Sequence, residues 1–352
     1  MRPYPLRVHT QRPAATPQPF DLCIREFDRA AEVLDEMDPQ ITSIGITQIA
    51  DGHGYRVLRR RRPGVRALRE LDAKRPPVVR GVPLVVVEAH ADLRPLVELA
   101  ISSFGASASR TMVHEQDLQR PLCAGLQLQN WDCDQRLGRI ASGHVEVGSL
   151  GLFVRAREHA YLVSNNHVLA GQNHGQIGDR ILQCGGPTLS QDQVVARLER
   201  FVPLEVSPTH AHPRLGNVRY NRVDAAMATL AAGIGWAPGY LAHHQLPTIG
   251  RRATPTLGET VFKVGRTSGL RRGRIVSTRD RVGPVPYAIG NCWFRGSFTV
   301  ESVDGRPFSE PGDSGAAVVR QNGEVLGLVY AGNGVQTFAC PITDVIEALG
   351  LD

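Results

Sequence analysis

Glu310-Pro311-Gly312-Asp313-Ser314-Gly315, running straight into the apolar Ala316-Ala317-Val318-Val319, is the stretch on which the reading of this chain turns. A serine hydroxyl is a weak nucleophile. A protein that uses one must hold it on a tight turn beside a base, with backbone N–H groups aimed at the oxyanion that forms. Gly312 carries no Cβ, so its N–H can face a reacting carbonyl alongside that of Ser314, and Gly315 lets the chain enter the next strand without crowding. Glycine-rich turns before strands are common, so the motif has meaning only if the chain also supplies a base and a carboxylate.

Upstream, Gly148 to Val154 and Ala160 to Ser164 read as two strands of a hairpin, the second delivering His167 at its end before a short helical turn. Asp224 lies in Arg222-Val223-Asp224-Ala225-Ala226-Met227-Ala228, among small apolar residues where an unpaired charge would be costly, so a partner for it is expected. His167, Asp224 and Ser314 follow in that order, 57 and then 90 positions apart. Such spacings place the histidine and aspartate in one β unit and the serine in a second, with a cleft between them.

Composition sets the frame. The 352 residues, 42% apolar, allow two or three domains with ordinary cores, and 36 glycines with 24 prolines favour short strands and turns over long helices. A net charge of +6 does not by itself imply nucleic acid. No apolar run approaches a membrane span, and the first twenty residues carry five prolines and no apolar core of an export signal, so a cytoplasmic location with no membrane partner is expected. Cys23, Cys123, Cys133, Cys184, Cys292 and Cys340 are irregularly spaced, which points to buried thiols rather than disulfides. His210-x-His212, His243-His244 and Cys184 lack a consistent ligand spacing, and Gly265-Arg266-Thr267-Ser268-Gly269 lacks the ending of a phosphate loop; no metal or cofactor is expected.

Residues 1–20 read as a flexible tail and 21–92 as a small α+β domain, ferredoxin-like or propeptide-like. In it Asp28 would cap a helix carrying Val33, Leu34 and Met37, with Pro39 ending it, and Ile41–Ile49 and Tyr55–Arg59 would be strands joined by Asp51-Gly52-His53-Gly54. A short helix over Arg66–Lys74 and a strand over Val82–Glu88 complete it. Between Arg56 and Arg80 stand ten cationic residues against Glu70 and Asp72. Such a cluster can serve an acidic partner, but without interleaved aromatics or a groove-reading helix it weighs against nucleic acid. Residues 93–120 read as a linker with a helix over Leu93–Ser102, and from Pro121 onward short apolar runs broken by glycine indicate a mainly β region.

That region, from about Gly125 to Asp352, resembles the trypsin-like serine peptidases, and more closely the bacterial relatives of the plant narrow-leaf peptidases. The resemblance rests on Leu162–Ala170, Val264–Gly273 and Ser309–Gly315, with Cys340–Gly350 similar to that group's C-terminal helix. Ser43-Ile44-Gly45-Ile46 and Val85-Val86-Val87-Glu88-Ala89 are weaker counterparts of its N-terminal module. It implies two six-stranded β-barrels of the chymotrypsin type, about 140–240 and 255–340, followed by a helix over 342–350. By the resemblance, Ser314 would be the nucleophile, His167 the base, Asp224 its orienting acid, and the N–H groups of Gly312 and Ser314 the oxyanion hole. The strand Val325–Gly332 would run beside the cleft and pair with an extended peptide substrate. Tyr330, Ala331 and Gly332 would wall a specificity pocket, with Phe308 and Ser309 near its base and Glu310 able to modify it. No aspartate stands where Arg/Lys-selective members carry one, so a neutral or apolar residue is expected before the scissile bond. Digestive trypsins pair the aspartate before the serine with a new N-terminus; with no activation site evident, Asp313 is expected to have a different partner. A regulatory protein or a second copy of the chain are the partners expected of the first domain. The competing function is a scaffold that binds an acidic partner or nucleic acid through its basic segment and leaves the peptidase fold latent.

Overall fold

The structure, a computed structural model, describes residues 8–9, 19–49, 52–60, 78–89, 92–96, 98–101, 114–156 and 158–351. The chain is mainly β, and the described strands fall into a sheet of eight and a sheet of thirteen. In the first sheet the strands run in the order 152–156, 159–164, 226–230, 194–201, 180–183, 127–130, 144–149 and 98–101. Its core is Leu128, Leu162, Ile181, Val195 and Leu198, the inward residues of strands whose other face is partly wet, with Leu126 beside them.

In the second sheet Thr260–Gly265 pairs with both Gly269–Tyr287 and Ala317–Val319. Pairing continues through Val325–Gly332, Gln336–Pro341 and Gly290–Ser302, and returns to Gly269–Tyr287. This path takes in six strands, and the sheets as wholes hold eight and thirteen. The second is enlarged because Ile41–Ile49 pairs with Gly269–Tyr287, Ile44 opposite Arg281 and Ile46 opposite Thr278. That strand carries the hairpin Gly52–Arg60 and the parallel Val82–Ala89 with it. Backbone pairing between segments more than two hundred residues apart leaves no periodicity in either segment.

The first helix spans Phe20–Met37, earlier than an Asp28 cap implies, because the Pro19 carbonyl accepts the first helical N–H groups, from Leu22 and Cys23. Cys23, Ala30, Ala31 and Leu34 pack on Ile44, Ile46, Tyr55 and Val57. The helix expected over Leu93–Ser102 is not formed. Arg94–Pro95 and Glu98–Ile101 are strands, on different sheets. Tertiary pairing takes the bonds that the apolar spacing could have given a helix. At the other end of the chain, Ile342–Leu349 is a helix closed by Gly350 in the left-handed region, φ 66°. The expected Arg66–Lys74 helix and the cationic Arg61, Arg62, Arg66, Arg69, Lys74 and Arg75 lie outside the described residues.

Candidate functional site

His167 sits in the four-residue helix Asn166–Leu169 that follows the strand His159–Ser164. Asp224 lies two residues before the strand Ala226–Leu230, which pairs with that same strand in the register Ser164 to Ala226. The pairing brings the two side chains together. His167 Nδ1 is bonded to Asp224 Oδ2, and the His167 backbone N–H donates to Oδ1 at 3.2 Å. Asp224 is held from three further sides: Tyr287 donates its hydroxyl to Oδ2 at 2.7 Å, Asn165 Nδ2 bonds the backbone carbonyl at 2.7 Å, and the backbone N–H points at Cys340 Sγ. Burial, and then the neighbouring Asp224 charge, push the Tyr287 phenol well above its ordinary range, so it stays a donor.

Ser314 comes from the second sheet, on the turn before Ala317–Val319. Gly312 and Gly315 both have positive φ, 100° and 87°. A Cβ on Gly315 would lie 2.0 Å from Ser164 Oγ and 2.4 Å from the Ser149 carbonyl oxygen, so only glycine fits. Ser149, on the strand His144–Ser149 of the first sheet, ties this turn across the cleft: its N–H donates to the Ser314 carbonyl at 2.7 Å and its Oγ to the Gly312 carbonyl at 3.0 Å. His167, Asp224 and Ser314 are all 0% exposed. His167 Nε2 has no hydrogen-bond partner among the described residues, and Ser314 Oγ points to the Tyr330 carbonyl at 3.4 Å.

Asp313 has a partner within the chain. Its Oδ2 lies 2.6 Å from Lys263 Nζ, and neither side chain is exposed. Thr267 and Ser268 N–H groups bond Oδ1 at 3.0 and 3.1 Å, and the Glu310 N–H bonds Oδ2 at 2.9 Å. Burial alone would push the Asp313 carboxyl up; the Lys263 ammonium and these donors outweigh it and hold it below its ordinary value.

The remaining residues singled out in the sequence are buried in the second sheet and its connections. Tyr330 turns its ring into the core against Phe294 and its hydroxyl to Ser297 Oγ at 3.0 Å, so its backbone, not its side chain, faces the site. Ala331 and Gly332 pair with Pro95 and Arg94. Phe308 joins an apolar cluster with Phe298, Val329 and Leu96, and Ser309 Oγ meets Thr337 Oγ1 at 2.5 Å. Sequence reasoning missed Lys263, Ser149, Tyr287 and Leu96.

Of the weaker metal candidates, His243 and His244 converge on Glu115, with ligand atoms within 4.8 Å of one another. Glu115 came from the expected linker and gave no spacing signal. The described members of the basic cluster are taken up internally: Arg56 by Glu301, Arg59 by Asp38, Arg60 by Asp92 and Arg80 by Glu26. All six cysteines are free, five of them buried. Among the described residues no helix is long and apolar enough to cross a membrane.

Residues 148–328, just over half of the chain, match the family model described as a trypsin-like peptidase domain. A search of curated protein sequences finds no match. Among solved structures the chain is similar to Protease A of Thermobifida fusca at 18% identity and a TM-score of 0.40, covering 58% of this chain and 89% of that one. It is similar to a Nocardiopsis protease at 17% identity and a TM-score of 0.42, covering 65% and 96%. It is also similar to a Cellulomonas bogoriensis chymotrypsin at 18% identity and a TM-score of 0.39, covering 57% and 87%.

Proposed function

Because the chain belongs to the trypsin-like peptidase family, we propose that it is a serine endopeptidase with Ser314 as nucleophile, His167 as base and then acid, and Asp224 as the group that orients the imidazole. The observation that carries this reading is the bond from His167 Nδ1 to the Asp224 carboxylate, which leaves the buried Nε2 as the proton acceptor. Ser314 Oγ points to the Tyr330 carbonyl in this structure, and this reading requires it to turn to Nε2 when substrate arrives, as catalytic bonds commonly tighten only then.

Ser314 Oγ attacks the substrate carbonyl as its proton passes to His167. The oxyanion takes bonds from the N–H groups of Gly312 and Ser314, and His167 then protonates the leaving amine. Water, deprotonated by His167, releases the acid. Losing one oxyanion donor costs about 10²–10³ in kcat. Lys263 holds Asp313 where a cleaved N-terminus would otherwise be needed, which supports a turn that is set in the intact chain. We read Ala331, Gly332 and the Tyr330 backbone as the edge that pairs with substrate, with Phe308 and Ser309 beside a pocket for an apolar residue. The two sheets are read as the two barrels of the chymotrypsin type. We read the segments 162–170, 264–273 and 309–315 as a likeness to the bacterial relatives of the plant narrow-leaf peptidases. Free, mostly buried thiols support a cytoplasmic setting. The internal ion pairs of Arg56, Arg59, Arg60 and Arg80 favour this reading over a charge-docking scaffold.

A fluorophosphonate probe tests the assignment. Label is expected on Ser314, absent from Ser314→Ala and strongly reduced in His167→Ala. No Ser314-dependent label, with or without partner proteins added, would overturn it.

A further inference from the structure

All three residues of the site are closed off from solvent, and what closes it is the chain itself. Arg94 and Pro95 lie antiparallel to the strand Val325–Gly332, opposite Gly332 and Ala331. The next residue, Leu96, donates its N–H to the Tyr330 carbonyl at 3.1 Å, and its carbonyl oxygen accepts from the Gly312 N–H. The Leu96 side chain is 2% exposed and belongs to the apolar cluster of Phe298, Phe308 and Val329. A Cβ on Gly332 would lie 2.8 Å from the Gln336 carbonyl oxygen and in ordinary contact, 3.5 Å, with both Leu96 Cδ atoms. Two residues on, Glu98 pairs with Val147 on the other sheet.

The segment is thus bonded to the serine sheet at Arg94–Leu96 and to the histidine sheet from Glu98 on. This is what an extended peptide does when it adds a strand to an enzyme's edge. One backbone carbonyl is aimed at an oxyanion donor, the N–H of the same residue is fixed, and the side chain fills an apolar pocket. Chain packing alone would not require these three features in one residue beside a nucleophilic serine.

Resting on the peptidase reading above, we propose that the protein cleaves its own chain after Leu96. Ser314 Oγ forms a bond to the Leu96 carbonyl carbon while its proton goes to His167 Nε2, and the carbonyl π pair becomes the oxyanion on the Gly312 N–H. Collapse breaks the bond from the Leu96 carbon to the following nitrogen, which leaves as the α-amino group of Val97 with the proton from His167. The Leu96 acyl group remains as an ester on Ser314. One water, deprotonated by His167, cleaves the ester, giving the Leu96 carboxylate and returning the proton to Ser314. Water is the sole co-reactant and nothing is oxidised or reduced.

The full-length chain and its Ser314→Ala variant, followed by intact mass spectrometry and N-terminal sequencing, test this. Wild type is expected to yield two pieces, residues 1–96 and 97–352, the second beginning at Val97, with a half-time independent of protein concentration. Ser314→Ala should remain one chain. Leu96→Met should be cut at the same bond. Leu96→Asp should be cut about a hundredfold more slowly or less, because the pocket would have to take an unpaired charge. Cleavage at a different bond, or a rate that rises with protein concentration, overturns the proposal. Fluorophosphonate labelling of Leu96→Asp, and of Leu96→Gly in case the aspartate chain does not fold, separates this inference from the reading it rests on. Ser314 labelled in either variant while wild type stays a single chain sinks self-cleavage and leaves the peptidase standing. No label in any chain and no cleavage sinks both.

Discussion

Lys263 and Asp313 bury opposite charges side by side, an arrangement that stabilises a fold only while both stay in place. Lys263→Met should cost about 3–5 kcal/mol, because it strands a buried carboxylate. It should also weaken Ser314 labelling, since Asp313 anchors the turn that carries Gly312; a thermal melt and the probe read the two effects. Asp313 has its carboxyl held below the ordinary 3.8, so its contribution is present above that pH and is lost as pH falls below it. Asp280 has the opposite sign. Burial, only partly opposed by the Ser277 and Thr299 hydroxyls and the Arg56 charge, raises it from 3.8 to about 6. Its cost is nil below 3.8, grows as pH rises and is complete above about 6, where two units amount to roughly 3 kcal/mol. Relative to Asp280→Asn, the melting temperature of wild type should therefore fall between about pH 4 and 7; parallel curves would contradict this. At this scale the sequence was legible where a motif names its residues, as at Ser314 and His167. The partner of Asp313 had a faint signal: Lys263 shares strand parity with the buried Val261. Tyr287, at the end of a long strand, had none.

Elements show a different balance. The glycines around Ser314 could be read in advance because their requirement is local: the backbone turns where a side chain would collide. Gly315→Ala should cost at least about 1–3 kcal/mol in backbone strain before the collision with Ser164 and Ser149 is counted, and should abolish labelling even if a folded chain survives. Circular dichroism together with the probe distinguishes loss of site from loss of fold. The helix expected over Leu93–Ser102 gives way to strands for a reason that is not local. The segment's apolar spacing suits a helix, yet Leu96 gives its N–H to Tyr330 and its carbonyl to Gly312, and Glu98–Ile101 pairs with His144–Ser149. Partners more than two hundred residues away decide the conformation of the first half. The short apolar run of a segment that fills a cleft is indistinguishable in sequence from a short buried helix.

Across the whole molecule, the mainly β class and the division of labour between two sheets followed from turn spacing and from the order His167, Asp224, Ser314. What did not follow was the union of the N-terminal strands with the second sheet. Ile41–Ile49 hydrogen-bonds directly to Gly269–Tyr287, and Arg56 pairs with Glu301. A sheet continuous across these strands should unfold as one unit: calorimetry of Ser314→Ala, which keeps the chain whole, is expected to give a single transition, and two separated ones would contradict the pairing. The same pairing fixes a concentration. A segment fastened to the enzyme by a neighbouring strand meets the cleft at an effective concentration on the order of millimolar or higher, whatever the dilution of the protein. On the peptidase reading, an outside peptide competes against residues 93–96 before it competes against any other substrate, and an apparent Michaelis constant measured on this chain would include the cost of displacing them.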